Sequence, residues 1–123
     1  MRSSFNEQFV RTLKSDEEAR QQVDALAKQR VDAIKGVLEA GVPGYTFKRM
    51  DVGILRAVAE QAHVHHLPVA VHTGTAADVA DAVGIGADSI EHGSFTEEIP
   101  EAVFTDIKLR GSAYNPTLSV ARA

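Results

Sequence analysis

The sequence predicts an α/β fold in which parallel strands alternate with helices. Four short runs of strand-forming residues begin near residues 31, 68, 88 and 113. Amphipathic stretches with helix-capping residues precede and separate these runs. The strand starts are 37, 20 and 25 residues apart, and such spacings are typical of βα units. The alternation implies right-handed crossovers and a parallel sheet with helices outside it.

The helices are predicted from local capping signals. Each of the first three begins after a side chain that can accept a hydrogen bond from the first helical turn. These capping residues are Ser15 (with Glu18 three residues on), Asp51, and Thr75 (with Asp78). The fourth helix is predicted over residues 96–110, with Gly111 as its C-terminal cap.

The strands are predicted from short apolar runs bounded by turn residues. They are VDAIK at 31–35, PVAVH at 68–72, DSIEH at 88–92 and AYNPTLSV at 113–120. The stretch 39–50 carries two glycines and a proline, which predicts a loop. We expect one domain over residues 15–123 and an N-terminal extension over 1–14.

Composition narrows the class of protein. The chain has 123 residues, 44% of them hydrophobic and 24% charged, which is typical of a globular protein. A net charge of −4 gives no basic patch for a nucleic acid partner. Without cysteine there is no disulfide framework, thiolate metal site or cysteine nucleophile. No apolar run is long enough to span a membrane or to serve as a leader, so we expect a cytoplasmic protein with no membrane partner.

Three residues with metal-binding chemistry end successive predicted strands. Lys35, His72 and His92 each occupy the last strand position. Ligands of α/β proteins bind at the carboxyl ends of the strands, so we expect these three side chains to lie together at that edge of the sheet. Two imidazoles there suit a divalent metal such as zinc. A lysine can join them if its neutral amine captures carbon dioxide and becomes an anionic carbamate.

Four motifs follow one another along the chain: DAIK, VAVHTG, IEHG and NPTL. The first, within EEARQQVDALAKQRVDAIKGVLEAG, resembles the segment around barrel strand 4 of the metal-dependent amidohydrolases. AEQAHVHHLPVAVHTG and DVADAVGIGADSIEHGSF are similar to the segments of strands 5 and 6, and NPTLSV resembles strand 7 of the imidazolonepropionase-like branch. That branch includes metal-dependent dipeptidases. The resemblance covers about residues 15–120.

This resemblance implies a partial (βα)8 TIM barrel with about four parallel strands. It implies a hydrolase that cleaves carbon–nitrogen bonds of a dipeptide, other small peptide or cyclic amide with metal-activated water. The resemblance also implies that Lys35, as a carboxylated lysine, would bridge two metals and that His72 and His92 would hold the second. The family's strand-1 His-x-His pair and strand-8 aspartate fall outside the matched segments. We therefore expect this chain to be weak or inactive alone.

The residues also allow less specific interpretations. His72 and His92 could be buried histidines hydrogen-bonded at strand ends, and Lys35 could be a solvated surface lysine. The alternative function is a non-catalytic metal-binding or structural half-barrel that works only as an oligomer. Homo-oligomers are expected because a parallel sheet buries both faces. We expect the uncovered inner face to include Ala33, Val69 and Val71.

Four further residues bear on the site. His63 and His65 spell a His-x-His pattern, but they lie where a helix ends, where cationic side chains suit the helix dipole. Glu91 precedes His92, so strict strand alternation predicts that it faces the helix layer. Tyr45 lies on the enlarged loop after the first strand and is a candidate for contact with substrate.

Overall fold

A computed structural model of the chain describes residues 13–38, 41–42, 45–46 and 49–116. Apart from two short strands that follow the first one, its helices and strands alternate along the chain as the sequence predicts. The helices are α1 (Asp16–Lys28), α2 (Val52–Val64), α3 (Ala76–Gly84) and α4 (Glu101–Arg110). The strands are β1 (Ile34–Leu38), β2 (Gly41–Val42), β3 (Tyr45–Thr46), β4 (Val69–Thr73), β5 (Ser89–His92) and β6 (Ala113–Pro116).

Four of these strands form one parallel sheet in the order β1-β4-β5-β6. Helices connect its strands, so the predicted α/β class is confirmed. The stretch 39–50, predicted as a loop, contains the short antiparallel pair β2–β3. No helix in the described part of the chain is long and apolar enough to cross a membrane. The cytoplasmic location stays a prediction.

The predicted helix caps are confirmed at three helices. Ser15 accepts a hydrogen bond from the backbone N–H of Glu18, and Asp51 caps α2. Thr75 and Asp78 form a complete capping box at α3. At α1 the Glu18 carboxylate instead accepts from the backbone N–H of Lys14, so that box is not reciprocal.

The fourth helix is shorter than predicted. α4 begins at Glu101 rather than at residue 96. The hydroxyl of Ser94 accepts hydrogen bonds from the backbone N–H groups of Thr96 and Glu97, which fixes a turn where the helix was expected. Pro100 follows in an extended conformation, and the helix starts directly after it. The C-terminal cap is confirmed, because Gly111 adopts a φ of 73°.

The hydrophobic core lies between the sheet and its helices. Ile34, Leu38, Val69, Val71 and Ile90 alternate along three strands and are at most 5% exposed. The expectation that Val69 and Val71 line the inner face is therefore wrong, and Ala33 is an exposed residue before β1.

Gly36 permits close contact between β1 and α2. A Cβ at this position would lie 2.6 Å from Cδ1 of Leu55, which is too close for any real side chain. Glycine therefore lets the buried Leu55 pack directly on the strand.

The first strand lies three residues further along the chain than predicted. β1 spans Ile34–Leu38 instead of 31–35, so Lys35 is its second residue and not its last. β4 and β5 match their predictions to within one residue. The last strand is confirmed over Ala113–Pro116, whereas residues 117–120 of its predicted range lie outside the described residues.

The inner face of the sheet points away from the helices. The parallel registers place its residues in two layers. The layer nearer the amino ends of the strands holds Lys35, Ala70, Ser89 and Ala113, and the layer nearer the carboxyl ends holds Val37, His72, Glu91 and Asn115. All eight are exposed or half-buried, in contrast to the core residues between them.

Candidate functional site at the carboxyl ends of the strands

The structure brings His72 and His92 together. Their ring centroids are 4.6 Å apart and the rings meet edge to face at 65°. His72 lies on the inner face, in register with Val37 and Glu91. The predicted pairing of these two imidazoles at the carboxyl edge of the sheet is thus present in the fold.

A left-handed backbone directs the ring of His92 to this position. Strict alternation along β5 would place His92 beside Ile90, on the helix side. Instead His92 has a φ of 75° and Gly93 a φ of 80°, which turns the chain at the strand end. Such a conformation is strained for a residue other than glycine and persists only where its surroundings enforce it.

Two contacts enforce the turn. The hydroxyl of Thr73, which is fully buried, lies 3.1 Å from the carbonyl oxygen of Glu91 and 2.9 Å from that of Gly93. It therefore bonds the backbone on both sides of His92. Tyr114 packs against Gly93 so closely that a Cβ there would collide with the phenol hydroxyl. Burial raises the pKa of Tyr114, consistent with a phenol partly enclosed by the fold.

Lys35 lies on the same inner face but not at the strand end. It is exposed and in register with Ala70, two residues before His72 along β4. At about 3.3 Å per residue, this places its Cα roughly 7 Å nearer the amino ends than that of His72. Its predicted terminal position is wrong, and its role as a ligand stays a prediction. Tyr45 lies in β3, and its side chain falls outside the described part of the chain.

Glu91 also belongs to the inner face, so its expected orientation toward the helix layer is wrong. Its register with His72 and Asn115 places all three on one side of the sheet. The carboxylate accepts a hydrogen bond from the hydroxyl of Ser89 at 2.7 Å and lies 3.3 Å from the amide nitrogen of Asn115. Because His92 breaks the alternation, sequence periodicity assigned the wrong member of the Glu91–His92 pair to the inner face.

The two imidazoles fit part of a metal centre. With a zinc–nitrogen bond of about 2.1 Å, two imidazoles on one ion have ring centroids roughly 5 Å apart, close to the observed separation. Among the described residues, no three His, Asp or Glu side chains are grouped so that they could hold a metal ion. His72 and His92 therefore supply two donors of a site that needs more.

Arg49, Asp78 and Asp81 form an ion-pair cluster that holds the loop after β4 near this edge. The sequence alone did not predict it. Arg49 donates from Nε to Asp78 and from Nη2 to Asp81, both at 2.7 Å. Burial opposes the charge of Arg49, but hydrogen bonds to Asp81 and Asp78 outweigh it and raise the pKa of the guanidinium. Asp78 also accepts from the backbone N–H groups of Gly74 and Thr75. The loop after β4 is therefore held on two sides.

The loop after β5 is fastened to the same helix. The Glu97 carboxylate accepts a hydrogen bond from the backbone N–H of Ala76 at 2.9 Å, at the start of α3. Hydrogen bonds from Thr96 and then Ala76 lower the pKa of Glu97. This loop borders an open cavity of about 940 Å³, lined in part by Phe95, Glu98 and Phe104. The Phe95 ring lies 6.4 Å from that of His92, so the cavity adjoins the histidine pair.

His63 and His65 lie where a helix ends, as predicted, and this is the opposite end of the strands from His72. His63 is in the last turn of α2 and its Nε2 lies 2.8 Å from Asp88. His65 caps α2, and its Nε2 lies 2.7 Å from Asp24 on α1. Each of the two histidines is thus paired with a different carboxylate. His63 and His65 do not form a site together with His72.

The architecture of the described residues is that of part of a (βα)8 barrel: a four-stranded parallel sheet, helices on its outer side and imidazoles at the carboxyl ends of its strands. Solved structures of that class match it. An amidohydrolase is 27% identical over 88% of this chain, with a TM-score of 0.74. An Xaa-Pro dipeptidase with methionine in its active site is 26% identical over 87%, with a TM-score of 0.72. An ochratoxinase from A. niger is 26% identical over 88%, with a TM-score of 0.75.

The chain thus resembles part of an amidohydrolase-superfamily protein in fold and in sequence. It spans about a quarter of the length of these solved structures, namely 26%, 27% and 25% respectively. No protein-family model and no curated protein matches the sequence.

Proposed function

We propose that this chain contributes to a metal-dependent centre that hydrolyses carbon–nitrogen bonds of small peptides or cyclic amides. The observation that carries the proposal is the His72–His92 pair, with 4.6 Å between ring centroids at the carboxyl edge of the sheet. The similarity to an amidohydrolase and to an Xaa-Pro dipeptidase supports the choice of bond. A dipeptide is the substrate that we favour.

His72 and His92 would hold a divalent ion, for which zinc is the first choice because imidazole suits it. Lys35 would join them as a carbamate, since its side chain projects from the same face. Such an ion, when bound, supplies a Lewis acid and activates water at neutral pH. Thr73 and Gly93 orient His92, and Tyr45 is proposed to contact the substrate.

We also propose that the chain by itself hydrolyses such bonds only weakly. The described residues supply two imidazoles, and no third His, Asp or Glu side chain accompanies them. Asp88 is paired with His63 at the other end of the strands, and the Glu91 carboxylate accepts a hydrogen bond from Ser89, so we propose neither as the general base. Without a general base, rates fall by about 10²–10⁴.

Elemental analysis tests the metal site. We expect zinc or manganese to copurify with the chain, or to bind after reconstitution, and to be lost in His72→Ala/His92→Ala. The matched control is His63→Ala/His65→Ala, which removes the same number of imidazoles at the other end of the strands. Unchanged metal content in the first variant, or loss only in the second, would contradict the assignment.

A panel of Xaa-Pro and other dipeptides tests the activity. With excess zinc we expect negligible hydrolysis by the chain alone. Turnover that survives repurification and disappears in His92→Ala would show that the chain assembles a complete active site.

The second candidate is a non-catalytic half-barrel, with a purely structural role or with metal binding alone. The incomplete donor set among the described residues favours it. A chain that folds cooperatively, takes up no metal and shows the same melting temperature with and without zinc would have the structural role. A chain that binds metal but shows no hydrolysis, either alone or as an oligomer, would have the metal-binding role.

A further inference from the structure

The inner face of the sheet is open in a way that parallel sheets rarely tolerate. Helices cover one face, whereas the two layers of the other face are exposed or half-buried. Sheets made only of parallel strands are almost always covered on both sides. The side chain of Val37, for example, is 39% exposed at the carboxyl end of β1. Within the described part of the chain, this side of the sheet therefore offers a surface for a partner.

The two edges of the sheet define the geometry of that partner. Within the described residues, β1 and β6 are the outer strands of a four-stranded sheet. Their outward backbone groups are available for pairing with another chain. A two-fold axis parallel to the strands places β1 of one copy beside β6 of the other at two equivalent seams. All eight strands then remain parallel, and eight is the strand number of a closed (βα)8 barrel.

The side chains of the inner face suit the interior of such a barrel. Among the described inner-face residues, each copy brings Lys35 on β1, a cation while it is unmodified and no metal is bound, and the Glu91 carboxylate on β5, so in that state the two charges balance within each copy. The layer nearer the amino ends otherwise holds Ala70, Ser89 and Ala113, which are small enough to avoid overlap where eight strands converge. Both His72–His92 pairs would lie on the same rim.

We propose that the inner face binds a second copy of this chain and that the two copies close an eight-stranded parallel barrel. The proposal does not depend on metal binding or on hydrolysis. It requires only that β1 and β6 of different copies become neighbours and that the inner face become an interior.

Light scattering after size-exclusion chromatography gives the first test. The chain has a mass of 13.2 kDa, so a dimer has about twice that mass. We expect Ala70→Glu, which places a carboxylate in the barrel interior, to shift the protein to monomer. Ala77→Glu on the exposed surface of α3 is the matched control and should remain dimeric. A monomeric parent chain, or an open series of larger oligomers, would overturn the proposal.

Cysteine crosslinking across the seam gives the second test and does not rely on Ala70→Glu folding. The chain has no native cysteine, so each introduced thiol is unique. Lys35→Cys or Val37→Cys on β1 is mixed with Ala113→Cys or Asn115→Cys on β6. Neighbouring strands bring facing Cβ atoms to about 5 Å, close to the separation in a disulfide.

We expect at least one of these four mixtures to form a disulfide-linked dimer under mild oxidation. Lys35→Cys mixed with Ala77→Cys is the control and should not crosslink. Two sheets stacked face to face lie about 10 Å apart, which keeps all these thiols separate. A dimer that fails to crosslink in all four mixtures would therefore overturn the closed barrel.

Discussion

Nε of Arg49 lies 2.7 Å from Oδ1 of Asp78, and this ion pair joins the segment before α2 to the first turn of α3. The Asp78 side chain is only 3% exposed, whereas that of Arg49 is 30% exposed. Asp78 keeps two backbone hydrogen bonds when Arg49 is removed, but its charge then lacks a counterion. The pair thus gives a buried carboxylate its counterion at the loop beside His72.

We expect Arg49→Met to lower the free energy of unfolding by about 1–3 kcal/mol, because a buried charge loses its partner. Urea denaturation at neutral pH measures this change. Arg56→Met removes an exposed arginine from α2 and should change stability by less than about 0.5 kcal/mol. Equal effects of the two substitutions would show that the ion pair contributes nothing measurable.

Gly93 is constrained by both its backbone and its neighbour, and substitution can separate the two effects. We expect Gly93→Ala to destabilise the fold by about 2–4 kcal/mol, since the residue combines a φ of 80° with a collision against Tyr114. Gly111→Ala, with a φ of 73° and open space around it, should cost only about 1 kcal/mol.

Tyr114→Phe removes the hydroxyl with which the new Cβ collides. Thermal unfolding of Gly93→Ala/Tyr114→Phe should therefore recover part of the loss and leave the cost of the left-handed backbone. A double variant no more stable than Gly93→Ala alone would exclude the collision as a cause.

Thr73 is expected to act as a positioning residue for His92. Thr73→Val keeps the shape of the side chain but removes the hydroxyl from the buried carbonyl of Gly93 and the partly buried carbonyl of Glu91, so we expect a loss of about 1–2 kcal/mol in stability. Zinc affinity should fall about tenfold because His92 is less firmly held. Thr73→Ser should restore the affinity, and Thr105→Val on exposed α4 is the matched control. Unchanged zinc affinity in Thr73→Val would remove this role.

Local signals in the sequence predicted where the first three helices begin. Ser15, Asp51 and Thr75 each cap a helix because the group that they bind lies two or three residues away. The histidine pair was also predictable, since each histidine follows a short apolar run and parallel strands align their carboxyl ends.

Features that depend on tertiary contacts were not predictable. The first strand was predicted to end at residue 35, yet it continues through Gly36, where the missing side chain leaves the space that Leu55 fills. The orientations of Glu91 and His92 depend on the left-handed turn that Thr73 and Tyr114 enforce. The partner of Arg49 lies 29 residues along the chain, and no periodicity signals such a contact.

The last prediction concerns acid stability at the opposite end of the strands. A hydrogen bond from His65, and then one from Gln61, lower the pKa of Asp24 from its usual value of 3.8. A carboxyl whose pKa is lower in the folded state contributes stability that is complete above the unfolded pKa. That contribution is lost as the pH falls through the folded pKa. The link between α1 and α2 should therefore weaken below about pH 4.

A carbon-detected NMR titration of the Asp24 carboxyl group measures this directly. We expect His65→Ala to raise the pKa of Asp24 and to reduce the slope of unfolding free energy against pH on the acid side. His66→Ala, which removes the adjacent exposed histidine, is the matched control and should leave the Asp24 titration unchanged. If His65→Ala also left the titration unchanged, the 2.7 Å contact between the two side chains would not persist in solution.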